Sequence, residues 1–239
     1  MTFTWQTLYY PTRLEYQQAL LPFAVPAFLK RVTIHHTWKP TVDQWRGRRS
    51  MDALERFYRL KGWPSGPHLF IAPDGLWAGT PLSTPGTHAG SCNRDSIGIE
   101  IVGDYDRQTW DVGLRERVYQ ILVLLLHWLG ATETAIRGHR ECLANKSCPG
   151  TAIAMDLVRA HVGERLFDRR FIVTTPAANV RLYPRTNSVV VGRAARGANL
   201  NAHLVRGALF QGSDRWARVQ LHDGTRGHIW AGLGYWEMV

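Results

Sequence analysis

The sequence predicts two units of different class: an α/β domain over residues 1–168, with a mixed central sheet flanked by helices, and a small all-β barrel or sandwich over residues 171–239. Three observations carry this expectation. Strand-like and helix-like segments alternate up to Asp168. Beyond Phe171 there are only short β-branched runs separated by Gly, Pro, Asn and Asp, with no helical period. The 239 residues are 45% apolar and 20% charged, which suits a folded chain with a sizeable core rather than a disordered chain or a membrane protein.

Taken in order, RVTIHHTW (31–38), HLFIA (68–72) and SIGIEIV (96–102) read as short strands. SMDALERFYRLKG (50–62) reads as a helix, with Ser50 as N-cap and Gly62 as its stop. A longer helix spans about 111–129: Leu114, Val118, Ile121, Leu125 and Trp128 recur at helical spacing and Gly130 closes it. Its last turns are apolar nearly all round, which marks burial. A third helix, about 151–168, follows Pro149-Gly150. In the second unit FIVTTP, NVRLYP, SVVVGRA, RWARVQLH and GHIWAG are the strand candidates, and the short junction predicts that the two units sit close together.

Lys and Arg number 29 against 19 Asp and Glu, a net charge of +10. That balance favours a polyanionic target: nucleic acid, teichoic acid, lipopolysaccharide or an acidic membrane. The eight arginines after Phe171 are scattered singly, so a solvated surface competes with a nucleic-acid stripe, and no aromatic-basic motif supports nucleic acid. No apolar run approaches the ~20 residues of a membrane span. The N-terminal stretch lacks a basic region and is interrupted by prolines, so no secretory signal is expected. Cys92, Cys142 and Cys148 are too few for a disulfide scaffold, and the odd count suggests that one has other work.

The chemistry-bearing residues are the His35-His36 pair, His139 in IRGHRE and Cys148 in KSCPG. Singly, each is weak. Two imidazoles and a thiolate, however, make a tetrahedral zinc set with one position open, the arrangement of catalytic sites. Strand alternation selects between the adjacent histidines: Val32, Ile34 and His36 share one face, while Thr33, His35 and Thr37 share the other. With the apolar face in the core, His35 points to the polar cleft and His36 is structural or orients a ligand. By the same parity Ile97, Ile99 and Ile101 form one face of their strand and Glu100 stands on the other, where a carboxylate among apolar neighbours reads as functional. Lys146, two residues before Cys148, is placed to favour the thiolate or to stabilise an oxyanion.

IHHTW, HLFIAPDG, HAGSCNRDSIGIEIVGDY, IRGHRE and K-x-CPG occur in one order over residues 30–155. Together they resemble the zinc-dependent N-acetylmuramoyl-L-alanine amidases, the superfamily of phage lysozyme-type amidases and peptidoglycan recognition proteins. The resemblance puts the metal ligands on His35, His139 and Cys148, the stabilising lysine on Lys146 and the catalytic base on Glu100. One departure is visible: many members carry a tyrosine where this chain has Pro67, which has no group to donate or titrate. Glu100 is therefore expected to carry the proton-transfer role. His88, in THAG, is expected to line the cleft, and whether Cys92 and Cys142 pair is left open.

The second unit resembles a bacterial SH3-like module, with Trp216, Trp230, Tyr235 and Trp236 as candidate ligand-contacting aromatics, although core packing is the expectation for Trp216 and Trp230. The resemblance implies a Zn2+-dependent peptidoglycan hydrolase that cleaves the bond between N-acetylmuramic acid and L-alanine. A non-catalytic peptidoglycan-binding protein is the alternative. The expected partner is the bacterial cell wall, without nucleic acid or stable membrane insertion, and the chain is expected to be a monomer. It would wait in the cytoplasm until released, as phage endolysins do, or be exported by another route.

Overall fold

The computed structural model describes residues 2–167 and 169–237; the unit boundary expected at Asp168 and the chain ends Met1, Met238 and Val239 lie outside the described residues. The first unit runs β1 (Leu8–Tyr10), α1 (Arg13–Leu20), β2 (Arg31–His36), α2 (Arg48–Leu60), β3 (Leu69–Ala72), β4 (Gly75–Ala78), β5 (Ser96–Ile101), α3 (Val112–Leu129), β6 (Ile136–Gly138), a single-turn α4 (His139–Cys142) and α5 (Met155–Arg165). Its six-stranded sheet has the order β1-β4-β3-β5-β2-β6. β3, β5, β2 and β6 are parallel, and β4 and β1 add antiparallel at one edge, which is the mixed sheet that the sequence predicts.

Alternation along the strands fills two layers. Val32, Ile34, Ile97, Ile99 and Ile101 face one core with Tyr16 of α1, Val118 and Leu125 of α3 and Val158 of α5. Phe70, Ala72 and Val102 face the other, beneath Met51, Leu54 and Tyr58 of α2. The helix on the polar-cleft side is therefore α2.

Helix ends show where local chemistry overrides the sequence expectation. α3 starts as expected, with the Asp111 carboxylate accepting from the Leu114 N–H at 2.9 Å, and it stops at Gly130, whose φ of 63° is left-handed. α2 begins at Arg48, before the predicted Ser50 cap; the Ser50 hydroxyl instead accepts from the Arg46 N–H at 2.8 Å. The third predicted helix begins at Met155 rather than near 151; in the turn before it the Thr151 and Ala152 N–H groups donate to the Asp106 carboxylate and the Tyr105 carbonyl.

The second unit holds β7 (Arg169–Val173), β8 (Ala177–Arg181), β9 (Val190–Ala195), β10 (Asn199–Phe210), β11 (Ser213–Gln220), β12 (Arg226–Trp230) and β13 (Gly234–Glu237). They form one seven-stranded sheet in the order β13-β7-β10-β11-β12-β8-β9, with its own core around Phe171, Val180, Leu200, Val219 and Ile229. All of its strand pairings are antiparallel. β10, at 12 residues the longest strand described, does not stand out in the sequence. Leu200 and Ala202 face that core, while His203 stands on the opposite face and is nonetheless fully buried, because its ring bonds His127 at 3.0 Å and the Ala131 carbonyl at 2.6 Å in the first unit. The contact continues with the Arg206 N–H donating to the Gly130 carbonyl at 2.9 Å and Arg218 gripping both Glu133 oxygens at 2.5 and 3.0 Å. Trp216 is core, as expected, and its indole N–H donates to the Ala208 carbonyl. Trp230 packs on Phe210 and Trp236 on Phe171, while Tyr235 is exposed. Among the described residues no helix is long and apolar enough to cross a membrane.

Candidate active site

The site lies at the C-terminal ends of the central parallel strands, where open α/β sheets place their ligands. β2 delivers His35, and β5 sets Glu100 beside it in register, so the two side chains stand on the same face. β6 runs directly into α4, whose first residue is His139. The loop after α4 brings Cys148 back over β2.

The three sequence-predicted metal ligands meet. One donor atom from each of His35, His139 and Cys148 lies within 4.8 Å of the others. The Cys148 sulfur is 3.6 Å from His35 Nδ1, and the two imidazole centroids are 4.5 Å apart. Burial, and then the neighbouring rings of His88, His139 and His36, hold His35 well below the usual imidazole range. Burial and the Lys146 charge lower His139 to about 4. Both rings are thus neutral near pH 7 and can offer a lone pair to a metal. His139 Nε2 is buried without a hydrogen-bond partner.

Cys148 and Glu100 show the other side of the same fit. Burial and the adjacent Glu100 charge push the thiol upward, and burial raises Glu100 to about 8. The Glu100 Oε2 atom is also buried without a partner. Two acidic groups facing each other in a closed space, with neutral imidazoles beside them, form a set that a divalent cation would satisfy. Two nitrogens and a sulfur match the donors zinc takes, with a tetrahedral corner to spare.

The surrounding loops fix this set. His36 turns away, as parity predicts, and its Nδ1 accepts from the Tyr105 N–H at 3.0 Å. Asp106 accepts from the Ser147 hydroxyl at 2.6 Å and the Thr151 N–H at 2.9 Å, gripping the chain on both sides of Cys148. Arg140 donates to the carbonyls of Ser147, Gly150 and Ile153, and its own N–H donates to the Cys148 carbonyl. Cys92 and Cys142 form a disulfide, which settles the open pairing and leaves Cys148 as the free cysteine. Lys146 is exposed, near enough for its charge to act on His139. Pro67 is buried and contributes only its carbonyl, to the Thr80 N–H.

Several contributors escape sequence reasoning. Arg140 and Asp106 look like ordinary surface charges until their loop partners are known. Tyr58 of α2 reads as a core aromatic, yet burial and then the charges of Glu100 and Cys148 hold its phenol well above the usual value, so it remains protonated. His88, expected only to line the cleft, is bonded to His35 at 3.0 Å. The helical phase of Tyr58 gave no signal of this; the THAG context of His88 was the nearest hint.

Residues 26–151, just over half of the chain, match the family described as N-acetylmuramoyl-L-alanine amidase. Among solved structures, the fold is similar to the endolysin amidase LysCS from Clostridium intestinale, at 18% identity and a TM-score of 0.50, covering 68% of this chain and 92% of that one. The amidase LysC from the same organism aligns at 18% identity with a TM-score of 0.49, covering 68% and 94%. Drosophila PGRP-LB aligns at 23% identity with a TM-score of 0.47, covering 59% and 81%. No curated protein matches the sequence. The chain belongs to the N-acetylmuramoyl-L-alanine amidase family.

Proposed function

We propose that the protein is a peptidoglycan hydrolase that cleaves the amide between the lactyl group of N-acetylmuramic acid and the L-alanine of the stem peptide, with zinc held by His35, His139 and Cys148. The observation that carries this reading is the convergence of those three donors beside a buried carboxylate oxygen that has no partner. When bound, zinc supplies Lewis-acid chemistry: it polarises a carbonyl and acidifies water.

The remaining work falls to the chain. Glu100 takes a proton from the attacking water and passes it to the departing alanine nitrogen. A carboxyl whose affinity for a proton is raised by burial suits both halves of that transfer. The Lys146 ammonium faces the negative charge that develops on the carbonyl oxygen. The protonated phenol of Tyr58, whose ring packs against Gly66 beside Pro67, supplies a hydrogen-bond donor within the field of Glu100. Asp106 and Arg140 keep Cys148 in place without touching substrate.

The second unit is a wall-binding SH3-like module in this reading, with Tyr235 as its exposed aromatic contact. Its scattered arginines give long-range attraction to the anionic wall. The whole acts as a monomer, held inside the cell until released in the manner of an endolysin. The test is digestion of defined muropeptides by zinc-loaded and by chelated protein, with products read by mass spectrometry. Free stem peptide should appear only with zinc. Wall binding without release of peptide by the loaded protein would instead support a recognition protein, the reading that the presence of Cys148 disfavours.

A further inference from the structure

We infer that His88 is a positioning residue: it accepts a hydrogen bond from His35 Nε2–H, and so fixes the tautomer and ring orientation in which His35 Nδ1 is free to ligate the metal. This rests on the metal reading above, and it assigns work to a side chain outside the ligand set.

The two nitrogens of His35 have different neighbours. Nδ1 looks toward the Cys148 sulfur at 3.6 Å, while Nε2 lies 3.0 Å from His88 Nδ1. A neutral imidazole carries one proton. If that proton were on Nδ1 it would occupy the position facing the thiol and block ligation. If it is on Nε2 it must be donated to His88, and Nδ1 presents its lone pair to the metal. Ligand histidines generally donate their second N–H in this way, to a carboxylate, a carbonyl or water. Here the acceptor is another imidazole, whose Nδ1 faces His35 Nε2 at 3.0 Å.

The surroundings hold His88 where this bond requires it. The Asn93 side-chain oxygen accepts from both the His88 and the Ala89 N–H, at 2.9 and 2.6 Å. The Thr87 N–H donates to the Gly66 carbonyl on the other side. The ring lies flat against β5 at Gly98, where a Cβ would come within 2.5 Å of His88 Cδ2, so only glycine admits it. The Cys92–Cys142 disulfide then ties the His88 loop to α4, which begins with the second ligand, His139.

His88→Asn and His88→Gln separate positioning from packing. The Asn oxygen takes the place of Nδ1 and can still accept from His35, whereas the Gln oxygen reaches the place of Nε2, on the wrong side. The readouts are the zinc dissociation constant by chelator competition, the visible spectrum of the cobalt-substituted protein, and the melting temperature of the metal-free form. His88→Asn should bind zinc within a few-fold of wild type and keep the cobalt spectrum. His88→Gln should bind about 10–100-fold more weakly, with an altered spectrum, the usual penalty for losing an outer partner of a metal ligand. Equal zinc affinity in all three proteins, or equal weakening in both variants whether or not they melt lower, overturns the assignment. Failure of the wild type itself to bind zinc would instead defeat the metal reading.

Discussion

Glu100→Gln should make the metal-free protein more stable while making the zinc-loaded protein nearly inactive, and both effects follow from one buried oxygen. The carboxyl is held about 8% exposed with Oε2 unpartnered, and burial raises its proton affinity from 4.5 to about 8. Between those two pH values the folded state binds the proton more tightly than the unfolded chain, so stability falls as pH rises. At pH 7, 2.5 units above the unfolded value, the loss is about 3 kcal/mol at 1.36 kcal/mol per unit, and below pH 4.5 it vanishes. The amide of Gln has no ionised form and avoids the loss. Denaturant unfolding of chelated wild type and variant at pH 4 and pH 7 measures it: the gap should open only at the higher pH. Turnover of muropeptides by the zinc-loaded variant should drop by ~10²–10⁴, equivalent to about 3–5 kcal/mol of barrier. A variant that is less stable at pH 7, or a gap that does not change with pH, would refute the reasoning about burial; full turnover would remove Glu100 from proton transfer.

Three further outcomes are expected. Cys148→Ser should lose zinc on dialysis, with wild-type secondary structure by circular dichroism, because Asp106 and Arg140 hold the loop through other atoms. Tyr58→Phe should keep zinc and lower kcat by about 10-fold, the worth of one ordinary hydrogen bond of about 1 kcal/mol; unchanged kcat would assign the hydroxyl to packing. Glu133→Gln should cost about 2 kcal/mol at pH 7, between the ~1 of an exposed pair and the 3–5 of a fully buried one. Burial opposes ionisation of Glu133, but the hydrogen bonds and charge of Arg218 hold it below the usual carboxylate range. Its contribution is therefore complete above the ordinary glutamate pKa and is lost as pH falls through the folded value, so the gap in urea midpoint between wild type and variant should close in acid.

The parts of the site that depend on local pattern were legible in the chain. Two-residue alternation in VTIHHT and SIGIEIV put His35 and Glu100 on the cleft face and the isoleucines in the core, and register then set them side by side. The donor chemistry of two imidazoles and a thiol pointed to His139 and Cys148. What remained hidden depends on contacts between distant segments. The carbonyls that Arg140 clamps lie 7, 10 and 13 residues further along the chain with no periodic pattern to link them to it, and Tyr58 has the spacing of any core aromatic on α2. β10 escaped for the same reason: the burial of His203 makes sense only once His127 and Ala131 of the other unit lie against it.

The bond between Cys92 and Cys142 also bears on how the proposed metal pocket matures. Free thiols at Cys92 and Cys142 would be open to metal ions and to any oxidant. Pairing them, 50 residues apart in the chain, leaves a single sulfur address for the metal. Such bonds persist where thiols are oxidised and are rare where they are kept reduced. In a reducing compartment the pocket would therefore be unstapled, and in an oxidising one it would be stiffened by the bond.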